Sequence, residues 1–498
     1  MRRHLFLFAC TLLHLAASTA SAAGIVERTF YVKSLTVSRQ VITAVNGSLP
    51  GPTIHVQEGD TLIVHVFNKS PYSLMDLTKS LNVQFTIVKQ EGTLWWHAHV
   101  SFLRSSVYGA LTIRPRHRHS YPFPKPYREI PIILEMYELN VLQGKTYLLR
   151  IINAALNRQL FYKIANHVMT VVAIDASYVE PYVTDFVVTG PGQTVDVLLT
   201  ADQPVGSYYM AARAYATAVV AGALVRFANT TTRGVIAYDG CPKPATPLMP
   251  ALPAFNDTPM AHKFFTGLKG LVGGPFWDPV PLKVDHEMFV TIGLALEPCP
   301  TNTSCKGPKH SASMNNESFV EPTGLSLLQA FYYNVNGIYT TDFPAKPAIK
   351  FDYTNDDINN NPPNPMQFAP KSTKVTKLKF NTTVEIIFQN TNILGPESHP
   401  MHLHGFDFHI LAQGFGNYNP ATERKKFNLI NPQKRNTVGV PVGGWAVIRF
   451  VANNPGVWLL HCHLDMHLPV GLATAFLVEN GPTPETTLPP PPADLPQC

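Results

Sequence analysis

The chain has 498 residues, enough for two or three domains that each bury a core of their own. With 45% hydrophobic residues, only 14% charged residues and 44 prolines, it favours short strands and turns over long surface helices. A formal net charge of +6, mild and scattered, gives no case for nucleic acid as a partner.

The N-terminus reads Met1-Arg2-Arg3-His4, then an apolar run from Leu5 to Ala17, then Ser18-Thr-Ala-Ser-Ala22. That pattern predicts a signal peptide over residues 1–23, cleaved after Ala22 or Ala23, and hence a secreted, extracellular protein. No later stretch is long and apolar enough to span a membrane. Sequons at Asn46, Asn68, Asn229, Asn256, Asn302, Asn316 and Asn381 fit a glycoprotein. Of six cysteines, Cys10 leaves with the signal, and Cys299 and Cys305 are the best disulfide candidates. Nothing in the sequence says whether Cys241 and Cys498 meet.

Internal repetition organises the rest. Gly59-Asp-Thr-Leu-Ile-Val-His-Val-Phe-Asn68 recurs as Gly144-Lys-Thr-Tyr-Leu-Leu-Arg-Ile-Ile-Asn153 and as Asn381-Thr-Thr-Val-Glu-Ile-Ile-Phe-Gln-Asn390. A second element follows each copy: Glu91-Gly-Thr-Leu-Trp-Trp-His-Ala-His99, Val205-Gly-Ser-Tyr-Tyr-Met-Ala-Ala-Arg213 and Pro455-Gly-Val-Trp-Leu-Leu-His-Cys-His463. The middle copy has Ala211 and Arg213 where its sisters have His. A third element pairs Asn166-His167-Val-Met-Thr170-Val-Val172-Ala-Ile-Asp175 with Ser398-His399-Pro-Met-His402-Leu-His404-Gly-Phe-Asp407, which again leaves the middle copy without ligands. Lone His167 reads as structural.

Short strands between Gly, Pro and Asn turns predict an all-β protein of Greek-key sandwiches or barrels. The expected domains are residues 24–118, 119–245 and 284–498, with a Pro-rich connector over 246–283 and an extended tail from Leu488 to Asp494.

The chemistry gathers at His461-Cys462-His463-Leu-Asp465-Met-His467. In a strand, successive side chains point to opposite faces, so His461 and His463 face one side and Cys462 the other. A thiolate with imidazoles suits copper, and Cys with two His is the trigonal blue-copper set. His467 can fold back to share the Cys462 metal, and His399 can turn towards it. His402 and His404 share a strand face, as do His97 and His99, and can reach further metal ions. The exposed-looking pair His117 and His119, in an Arg-rich connector, is a solvated decoy.

These segments resemble the multicopper oxidases, and among them the plant laccases. The resemblance is carried by Gly92-Thr-Leu-Trp-Trp-His-Ala-His99, Ser398-His-Pro-Met-His-Leu-His-Gly405 and His461-Cys-His-Leu-Asp-Met-His467, supported by Thr146-Tyr-Leu-Leu-Arg-Ile-Ile-Asn-Ala-Ala155, Gly414-Phe-Gly-Asn-Tyr418 and Asn436-Thr-Val-Gly-Val-Pro441. It implies three cupredoxin domains, phenols and dioxygen as substrates, and four coppers. His399, Cys462 and His467 would hold type 1 copper. His97, His99, His404, His461 and His463 would be type 3 ligands, and His402 a type 2 ligand. Leu472 would take the axial position of type 1 copper, implying a higher potential than Met would give. Asp465 resembles an acid that delivers protons to oxygen; the alternative is a plain solvated carboxylate. The family implies a monomer in the plant apoplast, acting on lignin precursors or lignin-derived phenols.

The pattern breaks in two places. Family chains carry a further His-Trp-His-Gly motif after the strand matching Thr61–Asn68, but no His lies between His65 and His97. That segment would bring one type 2 and one type 3 imidazole, an acid, and a Cys for Cys498. A second gap falls between Asn140 and Val141. Two clean gaps in intact family sequence look like skipped coding segments. The competing readings are ascorbate oxidase, which Leu472 opposes, and a copper-binding apoplastic protein with an incomplete oxygen-reducing centre.

Overall fold

The computed structural model describes residues 24–37, 39–70, 80–99, 101–133, 138–220, 223–224, 230–242, 246–299, 307–355 and 365–492. The signal-peptide stretch, residues 71–79, Cys305 and Cys498 lie outside these. Cys299 is disulfide-bonded, while Cys241 and Cys462 are free thiols.

Three pairs of β-sheets follow one another along the chain. In the first, a four-stranded sheet runs in the order Gln40–Val45, Ile25–Val37, Thr61–Asn68, Ser80–Thr86. It packs on a three-stranded sheet of Ile54–Gln57, Tyr108–Arg114 and Gly92–His97. Period-2 patterning drives the packing: Leu62 and Val64 enter the core with Phe30, Ile54, Val56 and Ile113. The second pair has two five-stranded sheets and the third has a six- and a five-stranded sheet. Each has its own core, around Leu149, Phe161 and Val197 in the second and Val290, Phe388 and Phe450 in the third. The protein is all-β in architecture, with cupredoxin-like domains.

The second sheets of the three pairs share one plan. In the third pair the order is Thr376–Leu378, Ala473–Val478, Gly456–Cys462, His399–Leu403, Thr437–Val440. In the second pair it is Glu138–Val141, Thr231–Tyr238, Ser207–Tyr215, Gln159–Ile164, Phe186–Thr189. In both, the first two strands are parallel and the remaining pairings antiparallel. The first pair follows the same plan through Ile54–Gln57, Tyr108–Arg114 and Gly92–His97, then stops. Among the described residues no strand pairs with the other edge of Gly92–His97.

This register corrects one detail of the repeat. His402 pairs with His461, and the residue opposite Ala211, the counterpart of His461, is Lys163. His404 N–H donates to Leu459 O at 2.9 Å, and Ala165 N–H makes the equivalent bond to Tyr209 O at 3.0 Å. The middle-domain counterparts of His402 and His404 are therefore Lys163 and Ala165, not Thr170 and Val172, which lie in the other sheet. The sequence match around His167 misled because it aligned two strand entries that sit in different sheets.

The expected connector over 246–283 is also more than a linker. Asp257 caps a helix over Thr258–Gly267, accepting from Met260 N–H, and Pro259 sits in its first turn. Phe264 and Phe265 plug into the second core. The Pro-rich composition concealed a cap-and-proline start.

Buried polar ties hold the three units together. Arg435 pairs with Asp175 at 2.8 Å, with both side chains almost wholly buried. Asp196 accepts from Thr93 Oγ1 at 2.5 Å and from Arg150 at 2.8 Å. Tyr178 OH donates to Glu91 at 2.6 Å. Thr93 and Glu91 belong to or adjoin the strand carrying His97, so these bonds set its position against the second unit.

Candidate metal centre

Two groups of side chains converge on opposite faces of one strand end. Gly456–Cys462 pairs with His399–Leu403, setting Met401 opposite Cys462 and His402 opposite His461. Cys462 turns into the third core, and Sγ lies 3.6 Å from His399 Nδ1 and 3.5 Å from His467 Nδ1. His399 and Cys462 are essentially inaccessible and His467 is 8% exposed. The turn that returns His467 is held by its N–H to Leu464 O, and Leu472 bonds through its backbone to both Cys462 and His467. Leu472 is fully buried beside the group.

On the other face, nitrogens of His99, His404 and His461 lie within 4.8 Å of one another. His404 Nε2 and His461 Nε2 face each other at 3.1 Å, and buried His99 Nε2 has no hydrogen-bond partner. An orphaned imidazole nitrogen beside two others is costly without a cation. Burial lowers the pKa of His97 and His402 to about 3 and of His404 to about 2, and holds His461 and His463 well below their ordinary value. The rings are therefore neutral, the state in which imidazole binds metal.

His97, His402 and His463 complete the assembly with only partial sets. The rings of His97 and His463 lie 5.5 Å apart, as do those of His402 and His463. Among the described residues no third donor closes a metal-binding set with His97 and His463. The repeat explains the deficit. The complete set takes His461 from one central strand, His404 from its neighbour, and His99 from the first unit. Exchanging the first and third units maps it onto His97, His463, and a histidine on a neighbour strand that is not found among the described residues. The same exchange gives His402 its absent companion.

Three contributors escaped the sequence reading. Arg104 is 3% exposed, points Nη1 at His463 Nδ1 from 3.2 Å, and pairs with Asp465 at 2.9 Å. Asp465 is thus an ion-paired, mostly buried carboxylate; the solvated alternative does not hold. Its pKa is raised by burial against the opposing charge of Arg104. Glu397 places Oε2 3.4 Å from His467 Nε2. Gly192, at φ +87°, lies so close that a Cβ there would come within 2.4 Å of His463 Cδ2. None has a signal at its own position, because each acts through a partner distant in sequence. His117 and His119 are exposed, as a decoy should be. His167 is satisfied by Ala165 O and Tyr238 OH.

Comparison with known proteins agrees with this geometry. Multicopper oxidase family models match residues 28–75 and 74–118, 109–241, and 342–482. The chain belongs to the multicopper oxidase family, and within it to the plant laccases. It is 53% identical to Laccase-7 of Arabidopsis thaliana, over 98% of this chain and 99% of that protein, and 48% identical to Laccase-9 of the same plant, over 97% and 94%. Its fold is similar to that of a laccase from Botrytis aclada, with a TM-score of 0.69, 21% identity, and coverage of 91% and 88%. Copper is the metal that this family employs, and the Cys-His-His and three-His sets fit it. The alignment with Laccase-7 runs over 566 positions, more than this chain contains, so stretches of that relative have no counterpart here. The N-terminal family model is matched in two pieces that meet at residues 74–75, the site of the first gap.

Proposed function

We propose that this protein is a secreted laccase-type oxidase whose blue-copper half is complete and whose oxygen-reducing half is not. His399, Cys462 and His467 are the type 1 ligands, and His99, His404 and His461 hold one type 3 copper. His97 and His463 are left as a two-imidazole remnant, and His402 as a lone type 2 ligand. Copper supplies one-electron oxidation of the substrate and, in a full cluster, reduction of dioxygen to water.

The carrying observation is the placement of Cys462. Its thiol is buried between two imidazoles, and its peptide neighbours His461 and His463 belong to the second cluster. A few covalent bonds join the two metal sites.

The substrates are phenols, including lignin-derived ones in the plant cell wall. A cavity of about 390 Å³ opens onto His467, lined by Tyr215, Leu294, Leu464, Val470 and Glu397. Apolar walls suit an aromatic ring. The Glu397 carboxyl, 3.4 Å from His467 Nε2 on the wall of this cavity, is placed to take the phenol proton as the electron leaves. Asp465, opposite, is assigned to proton delivery on the oxygen side. The gaps near residues 74–82 and 140–141 are read as skipped coding segments, which genomic sequence around them checks.

Reconstitution with copper tests the central assignment. The protein should turn blue, and Cys462→Ser should abolish the colour; a band that survives the substitution refutes the type 1 site. Oxygen uptake with a simple phenol should fall far below ordinary laccase turnover. Losing even a supporting partner of a metal ligand costs about 10–100-fold, and losing ligands costs at least as much.

A further inference from the structure

We propose that Asn46 carries an N-linked glycan whose first sugar packs on the exposed aromatic pair Tyr31 and Phe67. This rests on the secreted reading above, because the sugar donor, a lipid-diphosphate-linked oligosaccharide, is met on the secretory route. In the transfer a bond forms between Asn46 Nδ2 and sugar C1, and the C1–O bond to the diphosphate breaks. Nδ2 gives up one proton and the lipid diphosphate leaves.

Asn46-Gly47-Ser48 is a sequon at the exposed tip of a tight turn. Ser48 N–H closes the turn on Val45 O at 3.1 Å, and Asn46 and Gly47 take φ of 54° and 74°, the paired positive values of an Asn-Gly hairpin turn. The Asn46 amide is already held in place. Its Oδ1 accepts from Tyr31 N–H at 2.8 Å and its Nδ2 donates to Thr29 O at 3.0 Å. An amide nitrogen has two hydrogens, so a sugar replaces one while the other keeps the bond to Thr29. The sequon at Asn316 contrasts with this, since its Ser318 is fully buried.

Register puts the aromatic pair beside the attachment point. Val45 stands opposite Val32, so Asn46, next in line, stands opposite Tyr31, whose neighbour on the far side is Phe67. The Tyr31 and Phe67 rings are stacked 5.5 Å apart, and the residues are 40% and 36% exposed. Phe30, Val32 and Val45 close the inner face of the sheet, so a sugar on Asn46 has room only outwards, over the rings. The C–H face of a pyranose suits the negative face of an aromatic ring. Lys69, with Nζ 4.4 Å from the Tyr31 centroid, offers a donor to its hydroxyls. The nearby sequon residue Asn68 is aligned with Val32 and alternates to the opposite side of its strand from Phe67.

The test joins glycopeptide mass spectrometry to hydroxyl-radical footprinting, on the full-length protein expressed in plant cells from its own N-terminus. Asn46 should carry sugar in most molecules. Ser48→Ala should remove it, and Ser48→Thr, which keeps the sequon, should not. Radical labelling of Tyr31 and Phe67 should rise severalfold in Ser48→Ala, while labelling of Tyr127, an exposed ring in the second unit, stays level. If Ser48→Ala does not fold, native treatment of the parent with a peptide N-glycosidase gives the same comparison. Secreted protein with Asn46 unmodified, beside sugar at exposed Asn256 or Asn381 or without it, overturns the proposal. So does labelling of Tyr31 and Phe67 that loss of the sugar leaves unchanged. Protein kept inside the cell with no sugar at any sequon overturns the secreted reading beneath it.

Discussion

Arg104 is a buried cation in hydrogen-bond contact with a histidine expected to face a dication. Asp465 makes that tolerable: at 2.9 Å it neutralises the guanidinium and leaves its second arm to orient His463. Both partners are mostly buried, so removing either strands the other. Arg104→Met should destabilise the copper-free protein by about 3–5 kcal/mol in denaturant unfolding, and Asp465→Asn by a comparable amount. A loss below about 1 kcal/mol would place the pair with ordinary surface bridges. The histidines set a further limit at low pH. In the copper-free chain His97, His399 and His402 keep pKa values near 3, against 6.5 when unfolded. The unfolded state then binds more protons between those values, so stability is intact above about pH 6.5 and drains away as the pH falls towards 3. Unfolding midpoints of the copper-free protein at pH 7 and pH 5 check this, and equal midpoints would contradict neutral, buried rings.

At the scale of elements, the decisive feature is a strand with one neighbour too few. Gly456–Cys462 sits between two strands, one of which carries His402 and leads directly into His404; Gly92–His97 has a partner on one side alone among the described residues. Inserting a His-Trp-His-Gly segment between Leu74 and Met75, with enough flanking chain to form the missing strand, should raise both copper content and oxygen uptake. If neither moves, the deficit lies elsewhere than in that edge. The second gap left no comparable scar. Glu138–Val141 runs unbroken across the junction and takes the edge place that Thr376–Leu378 has in the third unit. An edge strand of four residues needs backbone pairing and two apolar side chains for the core, here Leu139 and Val141; a ligand-bearing strand needs particular donors.

Across the whole molecule the cluster belongs to no single unit. His97 and His99 come from the first and His402, His404, His461 and His463 from the third, while the second presses Gly192 against His463. Gly192→Ala forces a Cβ into a ring that is buried and cannot retreat, at a φ that favours glycine. It should cost about 1–3 kcal/mol in denaturant unfolding although it lies in a unit without metal ligands. An unchanged midpoint would mean the contact is looser than the structure has it. Much of this molecule was legible from its residues. Alternation and turns specified β-sandwiches, the threefold repeat specified their number, and the alternation of His461, Cys462 and His463 specified two metal sites on opposite faces. Those follow from local rules, because a strand's period and a ligand's chemistry do not depend on what lies across the fold. Register, burial and partnership do. Only the assembled structure could pair Lys163 with Ala211, set Arg104 between His463 and Asp465, bring Glu397 to His467, and show that three of six histidines close a set while the others lack a third donor among the described residues. Such relations join residues tens to hundreds of positions apart, and no pattern at either end encodes the distance between them.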